Sequence, residues 1–109
     1  MHKNMNKIEI VGNLTAAPEI TYTNSGKVVT KFTVACDRGR SESAGTDFIR
    51  VEAWDALAES LNAELGKGDF VRIAGSLRLS SYEDKAGMKR SAAHVVARKV
   101  ARVNQEAAA

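Results

Sequence analysis

The chain has 109 residues, 44% of them apolar and 27% charged, with 16 Lys and Arg against 13 Asp and Glu for a net charge of +3. That length closes one hydrophobic core and not two, the composition is that of globular proteins, and no apolar run is long enough to span a bilayer as a helix. The single cysteine, Cys36, excludes an intrachain disulfide or multi-thiolate metal site, and the isolated His2 and His94 offer neither a metal cluster nor a catalytic triad, so no cofactor is expected.

Residues 1–5 read as a flexible N-terminal extension. MHKNMNKIEI starts basic but lacks an apolar h-region and a small-residue cleavage site, so a cytoplasmic protein is expected. KIEIVGNL (7–14) and KVVTKFTVACD (27–37) alternate as strands, and Cys36, in phase with Phe32 and Val34, is expected to be a buried thiol. TNSGK (23–27) is a turn by its Asn, Ser and Gly, and RGRSESAGTD (38–47) is a loop without an apolar anchor; both should link antiparallel strands. DFIRVEAW (47–54) is the third alternating run. In DALAESLNAELGKG, Leu57, Leu61 and Leu65 recur every four residues, so a helix is expected, with Asp55 as N-cap and Gly66 or Gly68 ending it. DFVRIAGSLRL (69–79) and AAHVVARKVARV (92–103) are the fourth and fifth strands, and residues 104–109 have little to bury and should fray.

Five strands with a helix between the third and fourth match a mainly β fold, the five-stranded Greek-key barrel called the OB-fold, occupying residues 6–103. An SH3-like barrel or an α+β sandwich shares the periodicity; the position of the helix favours the OB-fold.

The outward faces carry the chemistry. On the third strand Ile49, Val51 and Ala53 point one way, and Phe48, Arg50, Glu52 and Trp54 the other. On the fourth, Val71, Ile73, Gly75, Leu77 and Leu79 share a face, while Arg72, Ala74, Ser76, Arg78 and Ser80 share the opposite one, which extends to Tyr82 and the loop EDKAGMKR with Lys85, Lys89 and Arg90. Rings among cations suit single-stranded nucleic acid, because a base stacks on an aromatic face while Arg and Lys neutralise the adjacent phosphate. A duplex hides its base faces. An outward Trp, Tyr or Arg also suits a protein interface. Phe32, in phase with the core, and Phe70, at a strand entrance, read as structural. No nucleophile and base pair, metal cluster or phosphate-binding glycine loop points to an enzyme.

NKIEIVGNL, APEITYTNSGKVVTKFTVA and DFIRVEAWDALAESLNAELGKGDFVRIAGSLRLSSYEDKAG together resemble the bacterial single-stranded DNA-binding protein family from about Asn6 to Val100. The resemblance implies an OB-fold that assembles as a homo-oligomer, usually a tetramer and otherwise a dimer. It implies sequence-independent binding of single-stranded DNA in replication, recombination and repair, without catalysis. It puts Phe48 and Trp54 on two stacking positions and Tyr82 where another stacking aromatic stands; the phosphate contacts expected beside them, from this chain's own polar faces and loop, are Arg50, Arg72, Arg78, Lys85, Lys89, Arg90 and Lys31. Lys7 and the first strand fall where family members build dimer contacts.

Two features depart from the family pattern. The loop after the second strand has no aromatic, leaving Arg38 and Arg40 as phosphate contacts there. The chain stops at QEAAA without the Gly/Gln/Pro-rich linker and acidic tail that recruit repair and replication enzymes, so tail-mediated recruitment is not expected. The alternatives are a primosomal-type or RNA-binding OB-fold protein, or an OB-fold protein-interaction module.

Overall fold

A computed structural model describes residues 2–39 and 44–103. Met1, Arg40 and residues 104–109, including the expected frayed end, lie outside the described residues. The strands are β1 (Ile8–Leu14), β2 (Glu19–Tyr22), β3 (Val28–Asp37), β4 (Thr46–Trp54), β5 (Phe70–Glu83) and β6 (Lys89–Arg102), with α1 (Asp55–Glu64) between β4 and β5. They form one sheet in the order β1-β5-β6-β4-β3-β2, and a further β1–β3 pairing, Leu14 opposite Val34, closes it into the OB-type barrel. Closure leaves the barrel without an open edge along β1.

The expected strands are present, with one addition. β2 is a four-residue strand antiparallel to β3. Its mostly exposed side chains give no alternating apolar signal, so sequence periodicity passes over it. The TNSGK turn joining it to β3 and the AGTD end of the loop joining β3 to β4 both connect antiparallel strands, as expected. β4 and β6, by contrast, run parallel, with Val51 opposite Val95.

Alternation fills the barrel: Ile10 and Leu14 from β1, Phe32 and Val34 from β3, Val51 and Ala53 from β4, Val71 and Ile73 from β5, and Val95 and Ala97 from β6 form one buried cluster. Leu61 of α1 joins it, and Leu57 and Leu65 pack against it, so the four-residue leucine spacing is the face that plugs the barrel end. The buried Thr30 hydroxyl donates to the Ala58 carbonyl at 2.7 Å, tying β3 to α1. One such bond contributes about 0.5–1.5 kcal/mol.

The ends of α1 differ from expectation. Trp54, extended at φ −118° and ψ 153°, occupies the N-cap position, and no side-chain hydrogen bond caps the helix. Asp55 is the first helical residue, at φ 57°, where the chain must turn sharply out of β4. The left-handed region is costly for most residues and less so for Asp. At the other end the helix stops at Glu64, before either glycine, and Arg102 of β6 donates to the Glu64 carbonyl.

β5 and β6 extend past the barrel as a two-stranded ribbon closed by Asp84–Met88. Leu77 and Leu79 keep the phase of Val71 and Ile73 but are exposed, because no opposing strand covers them there. Lys89 and Arg90, assigned from sequence to a loop, begin β6, and only Lys85 lies in the turn. At Gly75 the ladder shifts register beside Ala74, and a β-carbon on Gly75 would collide with the Val96 carbonyl. Cys36 is half-buried, donates to the Val11 carbonyl at 3.4 Å, and has its thiol pushed up first by burial and then by Asp47 and Asp37, which disfavours the reactive thiolate.

Candidate nucleic-acid interface

The register of β3, β4 and β6 assembles a continuous outer face from residues distant in sequence. Directly opposite one another stand Ala35 and Phe48, Thr33 and Arg50, Lys31 and Glu52, and Val29 and Trp54. On the far side of β4, Glu52 pairs with Val96, and across β6 the ribbon sets Arg78 opposite His94 and Tyr82 opposite Arg90. Phe48 is 68% exposed, Tyr82 55% and Trp54 36%, so the rings are presented to solvent while the alternate residues of β4 and β5 fill the core.

Phe48 and Trp54, six residues apart on one face, lie about 20 Å apart along the strand, with Arg50 and Glu52 between them. Beside them is a cavity of about 400 Å³. Its floor is Lys31, Thr33, Arg50 and Glu52, and the segment Thr15–Ala17 and the ribbon residues Ser80, Ala92 and His94 form its walls. Its lining mixes two cations, Lys31 and Arg50, with two carboxylates, Glu19 and Glu52, and otherwise mostly small side chains.

The candidate cations divide into two sets. Arg38 binds Asp47 through Nε and Nη2 at 2.9 and 2.8 Å, Arg90 binds Asp84 at 2.8 Å, and Arg72 pairs with Glu9 at 3.1 Å. Their guanidinium groups are already shared with carboxylates. The bond from Arg38 holds the Asp47 carboxyl below the usual aspartate range, and the bond from Arg90, with the Met88 and Ala86 N–H groups, does the same for Asp84. Lys31, Arg50, Arg78, Lys85 and Lys89 form no ion pair among the described residues. Lys31 and Arg50 line the cavity; Arg72, on the outer face where β5 pairs with β1 opposite Val11, does not.

Sequence reading placed Glu52 on this face without a role, and it dismissed His94. Glu52 Oε1 accepts from His94 Nε2 at 3.1 Å and from Trp54 Nε1 at 3.2 Å. The parallel β4–β6 pairing creates this contact between residues 42 positions apart, for which no local sequence signal exists. The Thr15–Ala17 wall was likewise unforeseen. Among the described residues no cluster of His, Cys, Asp and Glu could hold a metal ion, and no helix is long and apolar enough to cross a membrane.

The model of the single-strand binding protein family matches residues 5–103. Among curated relatives, a single-stranded DNA-binding protein of Thermotoga maritima is 40% identical over 97 residues, covering 84% of this chain and 69% of the relative. One of Clostridium tetani is 38% identical over 102 residues, covering 88% and 68%. With a closed barrel, an outward face of rings and cations, and this match over nearly its whole length, the chain belongs to the single-strand binding protein family.

Proposed function

We propose that this protein binds single-stranded DNA without sequence preference, by stacking bases on Phe48, Trp54 and Tyr82 and neutralising phosphates with Lys31, Arg50, Arg78, Lys85 and Lys89. The observation that carries the reading is the alternation of β4. The strand commits Val51 and Ala53 to the core and spends the opposite face on Phe48, Arg50 and Trp54, an arrangement with no use inside the barrel. Arg38, Arg72 and Arg90 contribute only by exchanging a carboxylate for a phosphate, so each is a weaker contact than its charge suggests. Arg40 joins Arg38 in this reading on sequence grounds alone. The protein acts by occupancy rather than catalysis, protecting exposed strands during replication, recombination and repair in the cytoplasm, at the nucleoid.

It works as a homo-oligomer, a tetramer or a dimer. Exposed Val11 on β1 and Leu79 on the ribbon support self-association, since both are branched apolar side chains uncovered in a single copy.

The test is Trp54 fluorescence during titration with oligo(dT), the matching RNA and duplex DNA at low and high salt. Strong quenching by oligo(dT), weaker with RNA and duplex and reversed by salt, is expected. Trp54→Ala should weaken binding to all single-stranded sequences alike, by about 1–3 kcal/mol. Equal or stronger quenching by RNA would transfer the reading to an RNA-binding OB-fold protein. No quenching in a folded sample would leave Trp54 as a protein-contact residue.

A further inference from the structure

A carboxylate is out of place on a face that receives phosphates. Glu52 nevertheless lies at the centre of the proposed DNA surface, opposite Lys31 and two residues from both Arg50 and Trp54. Its side chain is 19% exposed, and that of His94 beside it 27%. One oxygen, Oε1, accepts both from the imidazole at 3.1 Å and from the Trp54 indole N–H at 3.2 Å. A carboxylate carries no proton to give, so His94 Nε2 must be the donor.

We propose that Glu52 is a positioning residue for Trp54: its carboxylate, anchored from the opposite side by His94, fixes the plane of the indole so that the ring face stays open to a base. This rests on the reading of Trp54 as a stacking platform. Three observations support it. The indole N–H is a donor only, and among the described residues this bond is the one it makes. Trp54 ends β4 in an extended conformation immediately before the sharp turn at Asp55 and keeps 36% of its surface exposed, and the bond to Glu52 adds a directional restraint to its packing. The carboxylate in turn stands opposite Lys31 and shares the cavity lining with Lys31, Arg50, His94 and the second carboxylate Glu19, so it sits among charges of both signs rather than alone on the face.

The inference runs against simple electrostatics, which makes it decisive to test. If Glu52 were only a surface charge, removing it would tighten DNA binding. If it orients the ring, Glu52→Ala should release the indole and weaken binding, while Glu52→Gln, which keeps an acceptor oxygen and loses the charge, should not.

The experiment uses the chain's single tryptophan as its reporter. Time-resolved fluorescence anisotropy of the DNA-free protein reads ring mobility, and oligo(dT) affinity at high salt, where charge effects are screened, reads the consequence. Glu52→Ala is expected to add a fast local depolarisation and to lose about tenfold in affinity, the effect of one charge-assisted hydrogen bond. Glu52→Gln should keep the slow decay and bind within about twofold of the parent. If the alanine variant does not fold, Glu52→Leu keeps apolar bulk at this half-buried position without an acceptor and should behave as alanine would. An alanine or leucine variant whose ring stays ordered, or whose affinity is unchanged or higher, overturns the proposal. A parent protein that loses no affinity on Trp54→Ala would overturn the stacking reading itself, whichever way the anisotropy falls.

Discussion

β5 and β6 pair along their whole length, yet their two halves do different work. In the barrel half Val71, Ile73, Val95 and Ala97 are buried, and Gly75 lets the strands draw close at the register shift. In the ribbon half every β5 residue from Leu77 to Glu83 is exposed. The same backbone ladder therefore serves stability where a third layer covers it and contact where none does. Energetic cost and functional cost should separate along a single strand.

Two alanine substitutions eight residues apart make the strongest test of that separation. Ile73→Ala should cost about 2–5 kcal/mol of unfolding free energy, the range for deleting a large buried aliphatic chain. Ser81→Ala, on the same side of the same strand but in the exposed ribbon, should change stability by less than about 0.5 kcal/mol. Urea denaturation of both variants measures the contrast, and similar midpoints would show that the ribbon contributes to global stability as the barrel does.

The converse applies to binding. Tyr82→Ala should leave the denaturation midpoint where it was and reduce oligo(dT) affinity by about 1–3 kcal/mol, the usual contribution of one stacked base. A loss of stability without a loss of affinity would place Tyr82 among the structural residues and move the functional boundary of the ribbon toward its tip.

The same boundary explains what the sequence disclosed. The core strands were legible because burial imposes alternation: Ile49, Val51 and Ala53 against Phe48, Arg50 and Trp54 is a pattern only a one-sided strand requires. The helix was legible from Leu57, Leu61 and Leu65. Where a strand has no covered face, alternation has no cause, which is why β2 is passed over and the ribbon ends Glu83, Lys89 and Arg90 read as loop. Rings and cations on the outer face could be named individually, but not the ion pairs that occupy Arg38, Arg72 and Arg90. Nor could the Glu52–His94 contact be foreseen, since long-range register creates it.

A smaller effect is expected at the junction of sheet and helix. Asp55 holds a left-handed φ of 57° with no capping bond in return. Asp55→Gly should stabilise the protein by up to about 1 kcal/mol, because relief of the strained backbone outweighs the added freedom of the unfolded chain. Thermal denaturation checks the sign, and a lower midpoint would show that the aspartate side chain makes a compensating contact.

The smallest effect concerns the ribbon tip, where the Asp84 carboxylate accepts from Arg90 Nε at 2.8 Å and from the Ala86 and Met88 N–H groups at 3.0 Å each. These bonds favour the charged form, the one from Arg90 most, and so depress the folded-state pKa of Asp84. A depressed carboxyl pKa contributes stability that is fully present above the unfolded-state value and is lost as pH falls through the lower folded one. The tip should therefore keep its order through neutral and mildly acidic pH and loosen only below the ordinary aspartate range. Arg90→Gln should raise the titration midpoint of the Asp84 carboxyl toward its ordinary value without reaching it, since the two N–H bonds remain. Carbon NMR of the side chain reads this directly. Saturating oligo(dT) should move the midpoint the same way if Arg90 leaves Asp84 for a phosphate, and a midpoint indifferent to DNA would assign Arg90 wholly to holding the turn.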